Sequence, residues 1–119
     1  MIRMMNDLPA NIVGWTMSGK VTAEDYETIL IPALESRLGK GKIRCLIATS
    51  DDLEGVEARA MWDDTKFGLG HFFDFERIAF VTGDHALARI AHMFGVLIPA
   101  KVKLFQPEAI DEARRWVAA

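Results

Sequence analysis

Ile43-Arg44-Cys45-Leu46-Ile47-Ala48-Thr49 is a nearly continuous apolar run with β-branched residues, the pattern of a strand covered on both faces. Arg77 to Val81 is a second such run. Between them, residues from about Glu57 to Phe73 place Ala58, Met61, Trp62, Thr65, Leu69 and Phe72 at helical spacing, with Gly68 and Gly70 weakening the last turns. Two buried strands joined by a helix imply parallel pairing through a right-handed crossover.

Working outward toward the N-terminus, Thr22 starts a helix with Asp25 at its third position, a weaker form of the capping box. Its apolar stripe is Tyr26, Ile29, Leu30, Ala33, Leu34 and Leu38, Gly39 ends it, and Pro32 predicts a kink near its first two turns. Before it, Ile2 to Leu8 and Asn11 to Gly19 read as antiparallel strands turned by Pro9 and Ala10. In the second of these, Val13, Trp15 and Met17 share one face, and Gly14, Thr16 and Ser18 leave the other small enough for close helix packing.

Toward the C-terminus, Asp84 caps a helix through Phe94 whose inward face is Leu87, Ile90, Ala91 and Phe94, and Gly95 closes it. Lys101 to Phe105 alternates Val102 and Leu104 with Lys101 and Lys103, as a protected edge strand does. Pro107 opens a last helix burying Ala109, Ile110, Ala113, Trp116 and Val117. The expected fold is α/β: a mostly parallel five-stranded sheet flanked by four helices, in the order ββαβαβαβα, forming one domain over residues 1–119.

The composition narrows the function. A net charge of -3 without a basic stripe argues against nucleic-acid binding. The single Cys45, set among apolar neighbours, reads as a buried thiol of a reducing compartment. Residues 1–11 lack the unbroken apolar region of a signal peptide, and Met93 to Ala100 is too short to span a bilayer, so the expected location is cytoplasmic, with peripheral membrane contact compatible.

Ser18-Gly19-Lys20-Val21-Thr22, Asp25-Tyr26-Glu27 and Ile31-Pro32-Ala33-Leu34-Glu35 resemble segments of the SpoIIAA-like proteins of the STAS superfamily. Lys42 to Ile47, Asp52-Leu53-Glu54-Gly55, Trp62-Asp63-Asp64, Lys66-Phe67-Gly68, His71 and Phe75-Glu76-Arg77-Ile78-Ala79 extend the resemblance over nearly the whole chain. The resemblance implies a STAS-type sheet in strand order 1-3-2-4-5 with the first strand antiparallel, similar also to CRAL-TRIO lipid-carrier domains. Those relatives bind rather than catalyse. Antagonists of anti-sigma factors in this superfamily are switched at a serine after the third strand, where this chain reads Asp52-Leu53-Glu54-Gly55-Val56-Glu57, without a hydroxyl.

Gly14 to Lys20 has the glycine and lysine spacing of a P-loop, but Val21 replaces the hydroxyl that ligates Mg²⁺, and residues 14–18 read as strand rather than loop. Nucleotide hydrolysis is not expected. His85 and His92 are seven residues apart, about 10 Å along a helix, and His71 is read without a partner three or four positions away, so no metal site is expected. Asp51, Asp52, Glu54, Glu57, Asp63 and Asp64 crowd the carboxyl edge of the sheet, where they could hold a cation; a solvated loop and helix N-terminus is the favoured reading.

More apolar residues than a helical stripe needs remain: Trp62, Phe67, Leu69, Phe72, Phe73, Met93, Phe94 and Leu97, with Val96 and Ile98. Several complete the core in the plainest reading. In the functional one they line an apolar pocket under a movable helix, with Gly68, Gly70 and Gly95 as hinges. The expected function is therefore a noncatalytic module holding a small apolar or lipid-like ligand near the second and third helices, without a cofactor, with membrane contact only peripheral. The alternatives are a protein-interaction module that self-associates or binds a regulatory partner, and a small enzyme using the acidic edge.

Overall fold

The computed structural model describes residues 1–60, 66, 70–71 and 74–119. Strands β1 (Ile2–Met4), β2 (Ile12–Met17), β4 (Ile43–Thr49), β6 (Phe75–Val81) and β7 (Lys101–Phe105) form one sheet in the order β1-β2-β4-β6-β7. Between them, β3 (Lys20–Val21) pairs in parallel with β5 (Gly55–Val56), a second small sheet that two-residue strands do not announce in sequence. The helical elements are α1, built from Ala23–Asp25, a π-helical stretch Tyr26–Leu30 and Ile31–Glu35; α2, described over residues 58–60; α3 (His85–Leu97); and α4 (Ile110–Ala118), preceded by a 3₁₀ turn Pro107–Ala109.

The five long strands stand in sequential order, which corrects the expected 1-3-2-4-5. The cause is local. Met5 N–H donates to the Gly14 carbonyl at 2.8 Å and Ile12 N–H to the Pro9 carbonyl at 3.0 Å, closing β1 onto one side of β2. Only the other side is then open to β4, and β6 and β7 follow in parallel. Crossovers that advance in one direction with one hand stack their helices on one face.

That face carries Val13, Trp15, Met17, Ile43 and Cys45 against Tyr26, Leu30 and Leu34 of α1 and Ala60 of α2. The opposite face carries Ile12, Leu46, Ala79, Val81 and Phe105 against Ala113 and Val117 of α4. Leu46 in the central strand is fully buried. Beside it, a Cβ on Gly14 would run into the Leu8 and Met5 side chains, so at Gly14 this face of β2 is covered by the β1–β2 connection.

The helix starts are read correctly and their interiors less so. Thr22 Oγ1 accepts from Asp25 N–H at 3.2 Å while Asp25 Oδ2 accepts from Thr22 N–H at 3.0 Å, completing the reciprocal cap. The Thr22 amide holds the Asp25 carboxyl below its ordinary pKa, against a smaller opposing effect of burial. A depressed acid contributes stability that is full above the unfolded carboxylate pKa and vanishes as pH falls through the folded value. Asp25→Ala is therefore expected to cost about 0.5 to 2 kcal/mol at neutral pH. In denaturant titrations the gap from wild type should close as the pH drops below about 4.

Where a kink was expected from Pro32, α1 has a widened turn just before it: Ile31 N–H reaches the Tyr26 carbonyl, five residues back. The extra residue shifts the phase of the stripe, and Ile29, expected inward, is 36% exposed. α1 ends at Glu35, before Gly39, which sits in the following turn with φ of 83°. In α2 the buried residue is Ala60, while Ala58 is exposed; Met61, Trp62, Thr65, Leu69 and Phe72 of its expected stripe lie outside the described residues.

The C-terminal end of α4 is held by two arginines that face each other across β4 and β6. Arg44 Nη1 donates to the Val117 carbonyl at 2.8 Å, and Arg77 Nη1 to the Trp116 carbonyl at 2.6 Å. The Arg77 guanidinium also lies 5.2 Å from the centroid of the Trp116 ring. Cations at a helix C-terminus satisfy its last carbonyls and oppose its dipole.

Candidate functional site

A chain of hydrogen bonds at the carboxyl ends of β4 and β6 sets the start of α3. Thr49 Oγ1 donates to Thr82 Oγ1 at 2.7 Å, Thr82 Oγ1 accepts from Asp84 N–H at 3.0 Å, and Asp84 Oδ1 accepts from the amides of Ala86 and Leu87 at 2.9 and 3.1 Å. Asp84 is thus the cap expected for this helix. Gly95 does not close it: α3 continues to Leu97, and Gly95 lies where a Cβ would approach Val102 Cβ to 3.0 Å. The glycine brings the helix down onto the edge strand.

Because α3 packs on β7, its buried face is narrow. Leu87, Ala88 and Ala91 are half-buried, and Ile90, expected inward, is 45% exposed. Met93, Val96 and Leu97 are exposed by 62%, 73% and 73%. Ala86, Ile90, Met93 and Leu97 recur at helical spacing, so the exposed apolar groups form a row along one side of the helix rather than scattered points. Under the helix lies an open groove of about 360 Å³ lined by His92, Gly95, Val96, Val102, Lys103 and Leu104.

Of the residues expected to line a ligand site, Met93 and Leu97 stand on this row. Trp62, Phe67, Leu69, Phe72 and Phe73 lie outside the described residues, as does the side chain of Phe94. Sequence reasoning passed over Trp15 as a plain core residue. Its ring is buried, and its Nε1–H has no hydrogen-bond partner among the described residues. A buried donor left unpaired costs about 1 to 3 kcal/mol, and no periodicity reports it.

The other candidates are dispersed. Residues 14–17 belong to β2 and Lys20 to β3, so the glycine and lysine spacing does not form a strand-to-helix phosphate loop. His85 and His92 are exposed on α3. His71 does have a partner at the spacing where none was read: its Nδ1 lies 2.9 Å from Asp74 Oδ2, three residues on.

Two carboxylates of the acidic edge have hydrogen-bond partners within the chain. Glu57 Oε1 accepts from Ala23 N–H at 3.2 Å, and Asp52 accepts from the Ser50 hydroxyl, which lowers its carboxyl pKa. Asp63 and Asp64 lie outside the described residues. Among the described residues no three His, Cys, Asp or Glu side chains converge on a common point. No helix among them is long and apolar enough to cross a membrane.

Comparison with known proteins agrees with this architecture. A crystal structure of a DUF3478-family protein with a SpoIIAA-like fold from Shewanella loihica PV-4 matches with a TM-score of 0.80 at 29% identity, over 98% of this chain and 93% of that one. No curated protein matches the sequence. The SpoIIAA-like family profile matches residues 12–118, and the chain belongs to the SpoIIAA-like family.

Proposed function

We propose that this protein is a noncatalytic binding module that takes a small apolar or amphipathic ligand on the exposed face of α3, meeting it through transient contact with a membrane surface. The observation that carries this reading is the row Ile90, Met93, Val96 and Leu97, whose side chains stay in water in the isolated chain. Burying side chains of this size contributes about 1.5 to 3 kcal/mol each, which is enough for reversible association when several act together. The row lies on a helix with Arg89, His85 and His92 and no carboxylate, the composition of a helix that rests in a lipid interface.

Native mass spectrometry of the purified protein, followed by solvent extraction and vesicle flotation, tests the proposal. A copurifying amphipath, or flotation with vesicles, is the expected result. Absence of both, together with a mass that rises with concentration, would instead establish the interaction-module reading. That second reading has its own support in the Ala86, Ile90, Met93, Leu97 spacing, which suits a partner helix.

A further inference from the structure

The last strand of the sheet has an open side. β7 pairs with β6 in the register Arg77↔Lys101 to Val81↔Phe105, and Thr82 N–H donates to the Phe105 carbonyl at 3.1 Å. In a parallel ladder, alternate residues direct their amide and carbonyl to the same neighbour. Lys101, Lys103 and Phe105 therefore bond to β6, and Val102 and Leu104 turn their N–H and C=O outward. Neither of these two has a backbone partner on that side among the described residues.

The two faces of this edge differ in chemistry. Val102 and Leu104, with Lys103 between them, line the groove together with His92, Gly95 and Val96. Strand alternation sends the Lys101 and Lys103 side chains to the opposite face, where the Lys103 ammonium lies 5.3 Å from the Phe105 ring centroid, and neither lysine belongs to an ion pair among the described residues. From His85 to Pro107 the chain has Arg89, Lys101 and Lys103 and no Asp or Glu, although the whole chain carries a net charge of -3.

We propose that the outer edge of β7 accepts an extended peptide strand with acidic residues at alternate positions and apolar residues between them. Its backbone bonds to Val102 and Leu104, its apolar side chains enter the groove under α3, and its carboxylates meet Lys101 and Lys103. Strand addition uses this division of labour: main-chain bonds give affinity, and alternate side chains give specificity. The same charges exclude a second copy of this chain. Two β7 edges would set lysine against lysine, and β1, the other end of the sheet, carries Arg3.

The test uses the full-length chain and a labelled ten-residue peptide alternating Glu and Val, followed by fluorescence anisotropy. Saturable binding is expected, with amide shifts in NMR spectra centred on Val102 and Leu104. N-methylation of every second peptide amide should abolish it. The double variant Lys101→Glu, Lys103→Glu should weaken it at least about tenfold and bind a Lys-Val peptide instead, with an unchanged thermal melt. Met93→Gln with Leu97→Gln should leave peptide binding intact, which separates this edge from the ligand surface proposed above. No saturation at millimolar peptide, equal binding of a scrambled peptide, or indifference to N-methylation would overturn the proposal. If the double variant does not fold, the N-methylated peptide and the amide shifts on wild type decide the matter alone.

Discussion

Leu46→Ala is expected to lower the unfolding free energy by about 2 to 5 kcal/mol, measured by denaturant titration, which is a large part of the roughly 5 to 15 kcal/mol available to a domain. Leu46 is fully buried in the central strand and packs with Ala79, Val81, Phe105 and the inner face of α4. Its neighbours on β2 and β6 are Gly14 and Ala79, which have little side chain with which to fill the space it leaves. The cost therefore combines lost transfer energy with a persistent cavity. Ile47, one residue on, is less covered and should cost less when cut to Ala. A loss at Leu46 below about 1 kcal/mol would mean that the sheet and α4 are not packed as described.

The double substitution Met93→Gln, Leu97→Gln should have the opposite signature. Gln has nearly the helix propensity of Met and Leu, and both positions are largely in water already, so the melt should shift little. Binding to the vesicles or extracted amphipath should fall by at least about a hundredfold, because each side chain forfeits about 1.5 to 3 kcal/mol of apolar burial on association. Flotation of wild type and variant under identical conditions reads the difference. Equal binding of the two would remove the α3 face from the ligand site. A cooperative but strongly destabilised variant would mean that the row is part of the core.

The sequence by itself determined the elements whose cause is local. The apolar runs at 43–49 and 101–105 are strands with those bounds, Thr22 and Asp84 cap the helices they precede, and Val13, Trp15 and Met17 share the face they were assigned. Each follows from alternation or from a side chain bonding an amide a few residues away, which neighbouring residues suffice to specify.

Tertiary structure decided everything that depends on what lies opposite. Sheet order turned on the β1–β2 connection occupying one side of β2. Gly95 reads as a helix stop in a linear chain and serves as a close-packing point only because Val102 is beneath it. Ile90, Met93 and Leu97 carry the same helical signal as core residues, and their exposure comes from α3 resting on an edge strand. Trp15 looks like any buried aromatic, and whether its N–H finds a partner among the described residues depends on the groups packed around it. Periodicity records which residues share a face; the physical reason it stops there is that burial depends on a partner surface distant in sequence.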